Sequence, residues 1–178
     1  LKPASWSASI GVDSDSRKPV IVGFDVSLYE DAAGSNTRSI GTLINVRVSP
    51  QWSVSFGPEW SRIRQTAQYV TTVGDALKTE TFGSRYVFAP LAQTEVGLVT
   101  RLNYTFTPDL TLELYLQPLV SNAVYGTPKE FVRPSTFEFV AYGTGGSTIS
   151  KSGNRFTVDP DGTGAARAFT VTDRSFTT

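Results

Sequence analysis

Hydrophobic and polar residues alternate strictly along most of the first two thirds of the chain. One design is written twice, in Asn45-Val-Arg-Val-Ser-Pro-Gln-Trp-Ser-Val-Ser-Phe-Gly-Pro58 and in Asn103-Tyr-Thr-Phe-Thr-Pro-Asp-Leu-Thr-Leu-Glu-Leu-Tyr-Leu116. Each is an alternating run, a three-residue turn centred on proline, and a second alternating run. A period of two sends successive side chains to opposite faces of a sheet, and here one face is large and apolar while the other is small, polar or charged. Antiparallel hairpins are the prediction.

The same pattern predicts the neighbouring strands. Trp6, Ala8, Ile10 and Val12 oppose Ser5, Ser7, Ser9 and Gly11, and the polar segment Asp13 to Pro19 turns the chain back. Val20, Val22, Phe24, Val26 and Leu28 then oppose Gly23, Asp25, Ser27 and Tyr29. After a loop from Asp31 to Thr37, Ile40, Thr42, Ile44, Val46 and Val48 share a face, followed through Pro50 by Trp52, Val54, Phe56, Pro58 and Trp60. A Thr- and Gly-bearing stretch, Thr71 to Gly83, reads as a long connection, and a further long strand runs from about Tyr86 to Phe106. Placing Pro108 at a hairpin tip sets Tyr104 opposite Leu112 and Leu102 opposite Leu114, with Asn103 facing Glu113 and Arg101 facing Tyr115. Beyond Tyr125 the pattern weakens to short pieces near Phe137–Phe139, Arg155–Val158 and Ala168–Val171, with one helical turn near Pro128–Phe131.

Composition narrows what such a sheet can be. The 178 residues carry 16 basic and 16 acidic side chains, so no net field favours nucleic acid, and none is expected as a partner. Charged residues are 18% and aromatics 12%, where soluble domains carry ~25% charge; membrane barrels shift composition this way. The absence of Cys and His rules out a Ser-His-Asp or Cys-His site and the usual zinc and copper sites. No apolar run reaches the ~20 residues of a membrane helix, so a membrane would be met with strands.

Trp52 and Trp60 lie on one face eight residues apart. At ~3.3 Å per residue and a tilt near ~40° they are roughly 20 Å apart along a membrane normal, close to the ~25 Å band that aromatic girdles bound. Trp52, Trp60, Tyr104 and Phe106 are therefore the girdle candidates. Asp25, Arg47, Glu59, Glu95, Arg101, Asn103 and Glu113, mixed in sign on the other face, are the lumen candidates. Arg62 and Arg64, just past Trp60, are expected to reach lipid headgroups or loop carboxylates.

The stretches Asp15-Ser-Arg-Lys-Pro19 and Ala67-Gln-Tyr-Val70, and above all Arg101 to Pro118, resemble the C-terminal region of large bacterial envelope proteins. In those proteins a carbohydrate-binding module of the family-9 type precedes a domain of unknown function that looks like an outer-membrane barrel. The resemblance implies an outer-membrane location and a link to carbohydrate, and carries no catalytic residues over. It also implies a single barrel segment, 1–178, truncated at both ends; the weakening pattern makes 121–178 its less regular, loop-rich part.

Two chemical motifs have simpler readings. Asp159 and Asp161 in Asp159-Pro-Asp-Gly-Thr-Gly164 have the spacing of weak metal candidates, yet Pro and Gly in turn positions explain the segment as well. Glu95 and Glu113 invite a paired-carboxylate glycosidase, but the hairpin register separates them by about 26 Å. The expectation is an all-β antiparallel meander of about seven or eight strands, part of a transmembrane barrel in the bacterial outer membrane. It serves anchoring or solute passage without catalysis or cofactor, with the bilayer and further strands of the barrel as partners. The alternative is a soluble β-sandwich that binds carbohydrate.

Overall fold

The computed structural model describes residues 3–178. The chain folds into β1 (Ser5–Asp13), β2 (Val20–Asp31), β3 (Asn36–Ser49), β4 (Trp52–Gly74), β5 (Ser84–Thr107), β6 (Leu110–Leu116), β7 (Leu119–Tyr125), β8 (Lys129–Phe131), β9 (Phe139–Ala141), β10 (Thr148–Ser152), β11 (Arg155–Asp159), β12 (Phe169–Thr172) and β13 (Phe176–Thr177). The expected seven or eight strands thus resolve into thirteen, because many of the later pieces are only two to five residues long. All pairings are antiparallel, and β1 to β5 form a meander continued by β7 and β13. The sheet does not close on itself. β6 and β7 are one strand in effect, since Thr100 faces Leu116 and Gly97 faces Leu119 in a single register across β5. Pro118 interrupts the ladder by removing an N–H, though its carbonyl still accepts from Leu98 N at 3.1 Å.

The repeated hairpins have matching turns, one residue tighter than the alternation predicts. Ser49 pairs with Trp52 and Thr107 with Leu110, leaving two-residue loops, Pro50-Gln51 and Pro108-Asp109. Neither Gln51 nor Asp109 has a positive φ, so these are not the mirror-image turns whose twist suits a hairpin. A bulge just before each turn takes up the mismatch, skipping Val48 in β3 and Phe106 in β5.

β4 and β5 span 23 and 24 residues, about 75 Å at ~3.3 Å per residue. Their far ends, expected to be loop from Thr71, stay paired out to Gly74 and Ser84 through two bulges in β4. There β10, β11 and β12 form a separate sheet that packs on the hairpin. Val70, Val87 and Ala89 of the hairpin meet Tyr142, Phe156, Val158 and Val171, and Val87 and Val158 are wholly buried. On the hairpin's other side Phe88 gathers Tyr69, Phe131 and Phe139 at ring distances of 5.9, 4.7 and 5.3 Å. Lys129–Phe131, expected as a helical turn, is instead a strand on Val87 and Phe88. It is extended because alternation delivers Glu130 to a buried cation and Phe131 to the aromatic cluster.

That cation is Arg85. Its Nε donates to Asp75 Oδ2 at 2.6 Å and its Nη1 to Glu130 Oε1 at 2.7 Å. Lys78 Nζ stands 3.1 Å from Glu130, and the Tyr142 hydroxyl donates to Glu130 Oε2 at 3.1 Å. Burial, then the negative charge of Glu130, drives the Tyr142 hydroxyl far above its usual pKa, so it stays a donor. Burial works to raise the Asp75 carboxyl, but the Leu77 backbone N–H, Arg85 and Lys78 outweigh it and hold the group below the usual carboxylate range. A depressed carboxyl stabilises fully above its unfolded value, and that stabilisation is lost as pH falls through the folded one. Amide protection across residues 74–85, measured against the intrinsic exchange rate at each pH, should therefore fall below about pH 4, and Asp75→Asn should flatten that pH dependence.

Candidate functional site: a sheet with one apolar and one polar face

Cross-strand register decides what each face presents. On the apolar face one row reads Ile10, Val26, Ile40, Trp60, Val96 and Val120 from β1 to β7. Four residues along β4 another reads Val22, Ile44, Phe56, Thr100 and Leu116, and at the turn end Trp52, Tyr104 and Leu112 align. Among the described residues nothing covers these rows: Ile10 is 67% exposed, Val96 53% and Val120 57%. A contiguous apolar surface of this extent on a folded protein marks a face that meets lipid or protein. No charged side chain stands on it between Trp52 and Trp60.

The girdle candidates bracket this band. Trp52 packs edge-on against Tyr104 at 6.4 Å and Tyr104 against Phe106 at 4.6 Å, forming an aromatic cluster at the short-turn end. Trp60 lies at the other end, flanked by Ile40 and Val96. One row further on, the same face changes to Leu28, Arg38, Arg62, Thr94 and Asn122.

All seven residues expected to line a lumen fall on the opposite face, in two zones. The acidic zone has a row of Gly11, Asp25, Gly41, Glu59, Gly97 and Leu119 beside one of Ser9, Ser27, Ser39, Ser61, Glu95 and Ser121. Each acid of the first row lies flat over the glycine opposite it on the next strand. A Cβ at Gly97 would stand 2.6 Å from the Glu59 carboxylate, and Asp25 covers Gly41 likewise. Glu95 accepts from Gln93 at 2.7 Å and Ser61 at 3.3 Å. Asp25, Glu59 and Glu95 thereby line one open cleft of about 230 Å³.

The basic zone lies nearer the short turns. Arg47, Ser53, Asn103 and Glu113 share a row, next to Ile21, Asn45, Ser55, Arg101 and Tyr115. Arg47, Arg101 and Asn103 line a second cleft of about 380 Å³. The predicted pairing of Arg101 with Tyr115 holds, the guanidinium lying 5.3 Å from the ring centre in place of a hydrogen bond. Between the zones stand Leu43 and Val99, two apolar residues on the polar face that alternation alone did not single out. Glu95 and Glu113 are held apart by the same register, Glu113 lying opposite Asn103.

The Asp159–Gly164 segment is a turn. Asp159 Oδ1 accepts from Gly162 N at 3.0 Å, and Asp161 Oδ2 from Ala166 N at 2.8 Å, with Gly162 at φ 69°. Asp161 Oδ1 is buried without a partner. Among the described residues no three acidic side chains converge as metal ligands.

No family model, no curated protein and no solved structure matches this chain.

Proposed function

We propose that this chain forms part of the wall of a β-barrel in a bacterial outer membrane, with the apolar face toward lipid and the polar face toward the lumen. It anchors a larger envelope protein linked to carbohydrate use, or passes solute, and performs no catalysis itself. The supporting observation is the band from Trp52 to Trp60: free of charge, with a tryptophan at each end, in register across the wall, and backed by a mainly polar face that Leu43 and Val99 interrupt. Two features agree with it. The turns at Pro50 and Pro108 are short while the opposite ends carry the long β4–β5 extension and the small sheet, the asymmetry of outer-membrane barrels. The open edges, β1 and β6, are exposed along their whole length and call for further strands of the same barrel.

Folded into phosphatidylcholine vesicles, the protein should show heat-modifiable gel migration. Single-Trp variants retaining Trp52 or Trp60 should be quenched most by lipids brominated near the headgroup and least by lipids brominated at the chain ends. Cooperative folding as a monomer in plain buffer, or strongest quenching at the midplane, would sink the reading.

A further inference from the structure

We propose that Arg38, Arg62 and Arg64 form a binding site for the phosphate of lipid headgroups, an inference that rests on the membrane-wall reading above. Arg38 and Arg62 are direct cross-strand partners on β3 and β4, and Arg64 lies opposite Asn36 one row further out. Alternation along β4 places Arg62 and Arg64 on the face of Trp60, and register adds Arg38. Neighbouring side chains at such positions lie about 5 Å apart across strands and about 7 Å along one.

Like charges directly opposite each other destabilise a sheet, and nothing among the described residues relieves this pair. All three arginines are exposed. Among the described residues none of them makes an ion pair or a side-chain hydrogen bond, although six ion pairs form elsewhere. Glu30 shares the face but lies opposite Asn36 and clamps none of the three. Arg17 shows what a carboxylate within reach does here: Asp15 holds it through two contacts of 3.0 Å.

Position and chemistry together specify the missing anion. The site begins one row past Trp60, where headgroups meet the apolar band, and Leu28 and Ile40 beside it give the arginine stems an apolar floor. A guanidinium fork matches phosphate oxygens, and a phosphomonoester offers enough of them to serve several forks at once, which a carboxylate does not. Thr94 beside Arg62, and Asn36 beside Arg64, add neutral polar groups for the rest of a headgroup.

The test uses protein whose only tryptophan is Trp60 (Trp6→Phe, Trp52→Phe), in phosphatidylcholine vesicles doped with brominated phosphatidic acid or, at equal mole fraction, brominated phosphatidylcholine. The acidic lipid should be the better quencher, with a local preference that falls about fivefold per arginine removed as Arg38→Gln, Arg62→Gln and Arg64→Gln are combined. The control Arg167→Gln/Arg174→Gln, charge-matched to the double variants and at exposed sites outside the wall, should keep the full preference. Equal quenching by both lipids, or the same loss in the control, overturns the site. So does binding of inorganic phosphate by the detergent-folded protein tight enough to abolish the lipid preference, which would make free phosphate the ligand. Heat-modifiable protein without preference defeats the lipid site alone; protein that folds cooperatively as a monomer in plain buffer defeats the membrane wall as well.

Discussion

Arg85→Met is expected to cost about 3–5 kcal/mol of the stability of the β4–β5 outer end, the usual result of removing one partner from a buried ion pair. Arg85 and Glu130 are 6% exposed, and the guanidinium is the shared donor to Asp75 and Glu130. Without it two carboxylates remain beneath the small sheet with only Lys78, about a quarter exposed, to offset them. The double variant Arg85→Met/Glu130→Gln should recover much of the loss. Its amide still accepts from the Tyr142 hydroxyl, and Asp75 keeps the Leu77 N–H. Amide exchange and limited proteolysis across residues 71–85 measure the effect. Unchanged protection there in Arg85→Met would mean the cluster does not hold the extension to β8 and the small sheet.

The Arg85 cluster also shows where the sequence stops being readable. From Trp6 to Trp60 and from Thr94 to Leu116 one face is covered by nothing among the described residues, so the contrast between apolar and polar positions survives as alternation, and the register of both proline hairpins follows from it. Past Arg64 both faces of the β4–β5 hairpin carry large apolar residues. Val70 and Val87 go under the small sheet, while on the other face Phe88 packs against Phe131 and Phe139 and Tyr69 stays about half exposed beside it. Contrast between the faces therefore disappears, and two bulges in β4 break the period besides. Strand signals fail there although the strand continues to Gly74.

Of the short strands after Tyr125, β9, β11 and β12 fall at the pieces that the pattern marks near Phe137–Phe139, Arg155–Val158 and Ala168–Val171. β8 is hidden for a related reason, since it is held by a partner distant in sequence, Lys129 on Phe88, and no local pattern announces it. On the wall, the seven lumen candidates share a face because each sits on the small-residue side of an alternating run. Their separation into acidic and basic zones by Leu43 and Val99 is a property of register across β2 to β5, which no single strand reveals. The glycines at 41 and 97 are the one sequence signal available, since a flat-lying acid needs a residue without Cβ opposite it.

Phe56→Arg provides the sharpest test of which face meets lipid. Phe56 stands midway between Trp52 and Trp60, between Ile44 and Thr100, and is 40% exposed. If the apolar face lies in a bilayer, an arginine there is at the midplane and should cost about 2–4 kcal/mol in unfolding from vesicles. Leu43→Arg is the matched control. It introduces the same side chain one residue along from Ile44, on the polar face, between the rows holding Asp25 and Asn45. There the new cation meets the acidic zone, and the cost should stay below about 1 kcal/mol. A sheet with both faces in water predicts nearly the opposite, since a half-exposed Phe gives up little apolar burial to arginine and charge on a bare apolar surface improves solubility. Guanidinium titrations of both variants in phosphatidylcholine vesicles therefore measure the orientation of the wall directly. A Phe56→Arg penalty no larger than that of Leu43→Arg would show that the band between the tryptophans is not the one that meets lipid.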